Sequence, residues 1–326
     1  MAAPARVGGK IARLIGAAAD EVVVADSTSV NLFKVLAAAV AMRPGRRKIV
    51  LQGGDFPTDR HVADGLARLL PNVELVAVAD GGLAEAVDGQ TAVVLGCHVH
   101  YRSGARQDMA GICAAAHAAG AVSVWDVSHS VGAITVDVAA AGADFAVGCG
   151  YKFLNGGPGA PAFIYVARRH QDAARSPLQG WIGHADPFGF SDVYAPAPGV
   201  GRFLSGTPGI LGLAALEAGV DAVLAVDAAA VRDKSARMFD VFAERVAVLC
   251  PELELLTPHQ AGARGSHISF RCGRARAVMA ALIGRGVIGD FRPPDILRFG
   301  LTPLYISYGE IWRAVDMLAE VLAENR

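Results

Sequence analysis

The sequence predicts an α/β fold: a mostly parallel sheet with helices on both faces, followed by a smaller C-terminal α+β domain. Three observations predict it. Short β-branched runs alternate with alanine-rich helical stretches over residues 22–148. The runs are apolar and bounded by Gly, Asp or Pro, as suits strands covered on both faces. After about Pro208 the pattern changes to long helices with a few strand-like pieces.

Taken in order, residues 22–25, 48–51, 74–77, 91–95, 121–125 and 145–148 read as strands, and residues 29–41, 59–70 and 109–119 as helices between several of them. The stretch 176–205 is rich in Gly, Pro and aromatics and reads as a long loop, the kind that tends to carry function. Beyond it, helices are predicted over 210–224, 229–249, 275–285 and 309–324, with strands at 253–256 and 267–271. The expected division is a large domain over 1–225 and a small one over 226–326. No internal repeat or low-complexity tail is seen.

Composition narrows the class. A chain of 326 residues suits two domains. Its hydrophobic fraction is 53%, much of it alanine. No uncharged apolar run reaches the roughly 18–20 residues of a membrane helix. Lys34 interrupts one candidate, and Glu217, Asp221 and Asp227 interrupt another. The N-terminus carries Arg6, Lys10 and Arg13 but no apolar core of the signal-peptide kind. Five cysteines without paired spacing suggest reduced thiols and a cytoplasmic setting. A formal net charge of −1 gives no electrostatic case for nucleic acid or an anionic membrane.

Chemistry is expected just beyond the carboxyl ends of the strands. There Asp126 ends one predicted strand and Lys152 follows the next. A lysine amine and a carboxylate in one crevice can serve two parts of pyridoxal phosphate: the amine forms its Schiff base, and the carboxylate keeps the ring nitrogen protonated. On spacing alone a buried Asp–Lys salt bridge fits as well. Between a strand and a helix, ADSTSVN places Thr28 and Ser29 at a helix N-terminus, where free N–H groups favour a phosphate. The same run also reads as an ordinary N-cap cluster. Phe56 in FPTD could stack on a flat ring, or could staple the next helix with Asp59 as its N-terminal charge. His98 and His100, at a predicted strand end, read as structural or pocket-lining residues, so no metal site is expected.

Several segments together resemble the kynureninase family: DSTSVNLFK, FPTD, WDVSHSVGA, GCGYKFLNGGPGAPAF, QGWIGHADPF, GTPGILGL, RGSHISF, GVIGDF and LRFGLTPLY, in the family's order from about Gly8 to near the C-terminus. Class V aminotransferases and cysteine desulfurases share the Asp-x-x-His and the lysine, but not GWIGH or LRFGLTPLY. The resemblance implies an aspartate-aminotransferase-like fold, pyridoxal 5'-phosphate as cofactor, and hydrolysis of the Cβ–Cγ bond of L-kynurenine to anthranilate and L-alanine. It leaves 3-hydroxykynurenine open as the preferred substrate.

The resemblance also implies roles. Lys152 would carry the cofactor and move the α-proton. Asp126 would pair with the ring nitrogen, His129 would lie beside the ring, and Tyr151 would contact the phosphate and assist proton transfer. Thr28 and Ser29 would bind phosphate, Phe56 would stack, and Thr58 and Asp59 belong to the same cofactor segment. Trp181 and Thr207 would complete the phosphate site from the neighbouring subunit, which implies a homodimer with shared active sites. Arg298 would clamp the substrate α-carboxylate. Cys97 stands where the family usually has Thr or Ser, hydrogen-bonded to the cofactor's phenolic oxygen; a thiol is a weaker donor. Family members usually carry several dozen more residues before the segment matching 8–16, including a loop of the substrate site. The alternatives are another class V lyase or desulfurase-like enzyme, or a non-catalytic dimeric homologue. Against a desulfurase, Cys250 and Cys272 lie in the predicted small domain, flanked by packed elements.

Overall fold

The computed structural model describes residues 2–70 and 72–324. The chain forms two compact units, one of Met1–His98 with Gln107–Ala225, the other of Val99–Arg106 with Val226–Arg326.

The first unit is built on seven strands: β1 (Val22–Ala25), β2 (Lys48–Gln52), β3 (Glu74–Val78), β4 (Thr91–Cys97), β5 (Val122–Asp126), β6 (Phe145–Gly148) and β7 (Ala162–Val166). They lie in the order β1-β7-β6-β5-β4-β2-β3. Pairing is parallel from β3 across to β6, and β7 runs antiparallel to both its neighbours. Five helices accompany it: α1 (Ala3–Leu14), α2 (Thr28–Ala41), α3 (Pro57–Leu69), α4 (Met109–Ala118) and α5 (Ile210–Leu224).

Period-two geometry explains why the central positions of the strands are largely apolar on both faces. Val24, Val50, Val94, Trp125 and Ala146 point into one core with Val7, Ile11, Ile112, Leu213 and Leu216 of α1, α4 and α5. Their neighbours Val23, Ile49, Val93, Val124 and Phe145 point into a second core with Leu32, Val35, Ala63 and Leu66 of α2 and α3. Both faces are covered, so neither set of alternating positions is polar.

At the start of β6 a buried carboxylate ties this unit together. Asp144 accepts hydrogen bonds from the backbone N–H and hydroxyl of Ser123, at 2.7 and 3.1 Å, and from Arg169 at 2.8 Å. It also bonds His117 Nε2 at 2.8 Å and His170 Nε2 at 2.6 Å. Burial alone would raise its pKa, but the bonds from His170, Ser123, His117 and Arg169 outweigh that and hold it well below the usual carboxylate range. Asp144→Ala is expected to destabilise the protein by about 3–5 kcal/mol, the cost of breaking a buried charge network, measured by denaturant unfolding. The sign with pH follows from the depressed pKa. The contribution is present above the unfolded value of about 3.9 and is lost as pH falls from there toward the folded value, so the gap between wild type and variant should narrow in acid.

The second unit has a four-stranded antiparallel sheet of β8 (Glu254–Leu255), β9 (His267–Arg271), β10 (Asp290–Arg292) and β11 (Ile296–Gly300), ordered β10-β11-β9-β8. Helices α6 (Ala228–Leu249), α7 (Ala275–Gly284) and α8 (Tyr308–Glu324) pack their apolar faces with it around Phe242, Phe270, Val278, Phe299 and Leu318. The segment Val99–Arg106 groups with this unit through backbone pairing: Ala105 bridges Arg264, Gly265 N–H donates to Gly104 O at 2.8 Å, and Arg106 N–H to Ala263 O at 2.9 Å. A single boundary after residue 225 does not anticipate this excursion, because its partners lie far along the chain. Among the described residues no helix is long and apolar enough to cross a membrane.

Candidate active site

Strand register assembles the site. Cys97, Asp126 and Val147 are direct cross-strand partners on β4, β5 and β6, so the side chains of Cys97 and Asp126 emerge together at the carboxyl ends. Asp126 is 4% exposed, and one of its oxygens accepts the Ser128 N–H at 2.8 Å. From α3, Asp59 joins them: ligand atoms of Asp59, Cys97 and Asp126 all lie within 4.8 Å of one another, and all three residues are buried. Pro57 opens this helix at its first turn, where a missing N–H costs nothing, and brings Thr58 and Asp59 into that turn.

The group concentrates carboxyl groups in a buried place. Burial, then the negative charges of Asp126 and Asp55, push the Asp59 carboxyl well above the usual carboxylate range. Burial also raises Asp55 to about 7, against the hydrogen bond it accepts from the Cys97 N–H at 3.2 Å. Burial, then Asp126, raises the Cys97 thiol too. The Asp59 Oδ2 atom is buried without a hydrogen-bond partner among the described residues. Such an atom normally has one, so this place suits a cationic N–H donor.

Lys152 lies four residues past β6, in a turn closed by Asn155 N–H on Lys152 O and Gly156 N–H on Gly150 O, both 3.0 Å. Helix α5 presses on that turn at Gly219, where a Cβ would stand 2.4 Å from the Leu154 carbonyl oxygen; only glycine permits the approach. The lysine amine sits 6.0 Å from the centre of the Phe56 ring and 5.6 Å from that of Tyr151. Tyr151 is half exposed, and burial of the remainder raises its phenol, with Lys152 acting in the opposite direction. His129 is buried three residues after Asp126. Thr28 opens α2, with Ser29 next; Ser27 is the N-cap, its Oγ accepting the Val30 N–H at 3.4 Å. The first N–H groups of that helix are therefore available to an anion.

Not every expected residue joins this group within the unit. Trp181, 41% exposed, meets Phe188 edge-on at 5.8 Å, and Thr207 is exposed. In the second unit, Arg298 on β11 is buried and paired with Asp290. Sequence reading missed Asp55, whose link to Cys97 spans 42 residues. A signal was present: the residue sits just past β2, where strand-end acids gather in such sheets.

A lysine turn after β6, a carboxylate at the end of β5 with a second from the first turn of α3 beside it, and an open helix N-terminus, on this sheet, define an aspartate-aminotransferase-like protein of fold type I. Two solved structures share the fold: an apo cysteine desulfurase from Thermococcus onnurineus NA1, with a TM-score of 0.85 at 21% identity over 99% of this chain and 84% of that one, and the cysteine desulfurase CsdA from Escherichia coli, with 0.86 at 17% over the same shares. The chain belongs to the kynureninase family. It is 54% identical to a kynureninase of Deinococcus radiodurans over 99% of this chain and 79% of that protein. It is 46% identical to a kynureninase of Pseudomonas fluorescens over 97% and 78%. Residues 231–318 match the model of the kynureninase C-terminal domain.

Proposed function

We propose that this chain is a pyridoxal 5'-phosphate enzyme that hydrolyses L-kynurenine to anthranilate and L-alanine. The observation that carries the cofactor assignment is the partnerless, buried Asp59 Oδ2 beside Asp126, an acidic pocket suited to a protonated ring nitrogen. Family membership supports the reaction.

When bound, the cofactor supplies an electron sink for the pair left at the substrate's α-carbon. Lys152 holds the cofactor and moves the proton at that carbon. The rings of Phe56 and Tyr151 flank the amine, at 6.0 and 5.6 Å from their centres. Asp126, with Asp59 behind it, holds the proton on the ring nitrogen. Phe56 would stack on the ring and His129 would lie beside it. Thr28, Ser29 and the free N–H groups of α2 bind the phosphate, with Tyr151 contributing there and in proton transfer; Thr58 belongs to the same pocket wall. Cys97 borders the carboxylate pair and would donate weakly to the phenolic oxygen. Arg298 clamps the substrate α-carboxylate. In the net reaction the oxygen of water ends on the γ-carbon as the carboxylate of anthranilate, the Cβ–Cγ bond breaks, and its electron pair takes up a proton at Cβ, which becomes the methyl group of L-alanine.

The enzyme acts in the cytoplasm as a homodimer, with Trp181 and Thr207 completing the neighbour's phosphate site. The exposed aromatic run of Trp181, Phe188 and Phe190, at 41%, 62% and 78%, supports a covered face there.

Adding pyridoxal 5'-phosphate and then L-kynurenine to the purified chain is expected to give a visible absorbance band, then anthranilate fluorescence matched by L-alanine. A band without anthranilate would keep the cofactor and reject the reaction. Absence of a band would reject both.

A further inference from the structure

In the second unit a single acid organises the arginine expected to meet substrate. Asp290 and Arg298 are direct partners across the β10–β11 pair. Arg298 Nε donates to Asp290 Oδ1 at 2.8 Å and Nη2 to Oδ2 at 2.6 Å, a bidentate pair along one edge of the guanidinium. Nη1 donates to the Tyr101 carbonyl oxygen at 2.6 Å. Arg298 is only 9% exposed, so these contacts fix its plane.

The donor count is informative. A guanidinium has five N–H groups. Three are used here among the described residues, which leaves one on Nη1 and one on Nη2. Charge points the same way. Asp290 also accepts from Arg292, Nε to Oδ1 at 3.1 Å and Nη2 to Oδ2 at 3.0 Å, so one carboxylate faces two guanidiniums. Burial alone would raise Asp290, but Arg298 and then Arg292 hold it below its ordinary value. With each oxygen already taking two donors, Asp290 balances one positive charge and leaves one over. Arg102 adds another cation over the Tyr101 ring, at 5.4 Å from its centre.

We propose that Asp290 is a positioning residue: it locks Arg298 along one edge and presents the remaining Nη1 and Nη2 donors to the α-carboxylate of the substrate. This rests on the reading of Arg298 as the carboxylate clamp. Strand register holds acid and arginine opposite each other, so Asp290 is a fixed support rather than a placeholder that substrate displaces.

The test uses the cofactor-loaded enzyme and four variants: Asp290→Asn, Asp290→Glu, Arg298→Gln and the double substitution of Asp290→Asn with Arg298→Gln. Asp290→Asn is expected to raise KM for L-kynurenine about tenfold, with a smaller change in kcat, as loss of binding shared by ground and transition states requires. It should leave the inhibition constant of the decarboxylated amine analogue of kynurenine unchanged, since that ligand has no carboxylate to misplace. The double variant should be no worse than Arg298→Gln alone, because Asp290 acts through Arg298. Asp290→Glu, which keeps the charge, should recover part of the lost affinity. KM and inhibition constants do not depend on the active fraction, so partial misfolding does not hide the result. If Arg298→Gln leaves KM unchanged, the clamp reading falls and the proposal with it. If Arg298→Gln raises KM while Asp290→Asn leaves it unchanged or lowers it, the clamp stands and the positioning role is overturned. Equal weakening of the amine analogue would reduce Asp290 to a purely structural part and also overturn it.

Discussion

Lys152→Ala is expected to abolish turnover of L-kynurenine, with a loss of at least about 10⁴-fold, the upper end of what one positioned proton-transfer group contributes. The loss should exceed that of any other single change because two functions disappear together, attachment of the cofactor and movement of the α-proton. The fold should survive. Lys152 sits in a turn held by backbone bonds from Asn155 and Gly156, and its amine lies beside rings rather than on a carboxylate. Thermal melts of the cofactor-free protein should therefore remain cooperative, with a small fall because Lys152 offsets the repulsion around Asp59 and Cys97, while the visible band formed with pyridoxal 5'-phosphate disappears. Turnover retained in this variant would remove the assignment of Lys152, whatever its effect on the band.

Asp126→Asn should follow, with kcat falling about 10²–10³-fold, the range seen when one preorganised electrostatic group is lost from an active site. The isosteric amide keeps the shape of the β5 end and the bond from the Ser128 N–H, but no longer holds a proton on the ring nitrogen. Stability should move the other way. Asp126 is one of the charges that raise Asp59, Asp55 and Cys97, so neutralising it relieves repulsion in a buried pocket. The cofactor-free variant is expected to melt at or above the wild-type temperature, and the variant's affinity for pyridoxal 5'-phosphate to fall. Activity within tenfold of wild type would show that the ring nitrogen is served by another group, with Asp59 the first to examine.

The fold was legible where both faces of a strand are buried. Runs such as Val22–Ala25 and Phe145–Gly148 carry no polar residue to blur them, and both strands have the bounds their sequence predicts. Ala162–Val166 has the same apolar character, yet its first two residues end a motif that drew attention to chemistry rather than to a strand. β10 and β11 went unread because β10 is only three residues long with two half-buried charges, Pro293 and Pro294 stand between the strands, and the charge of Arg298 interrupts the apolar run of β11. At the site, Lys152, Asp126 and Phe56 were legible as strand-end residues, and the structure places them in one unit with Asp59. Asp55 was not, since its weight comes from a backbone bond to Cys97 and from neighbouring charges that only the β2–β4–β5 register brings close. The partners of Arg298 were hidden for a similar reason: one is across a hairpin and the other is a main-chain oxygen at Tyr101.

The excursion of Val99–Arg106 into the second unit governs how these enzymes can be recombined. The covalent chain passes between the units three times, after residues 98, 106 and 225. A chimera joined at 225 alone would pair a foreign 263–265 strand edge with a native 104–106, and set a foreign Arg298 against the native Tyr101 carbonyl. Swapping the halves as cassettes therefore calls for a third cut piece, residues 99–106, to travel with the C-terminal part. Natural substitutions in that octapeptide should accordingly track those around 263–265 and 298, rather than those of the strands that flank it in sequence.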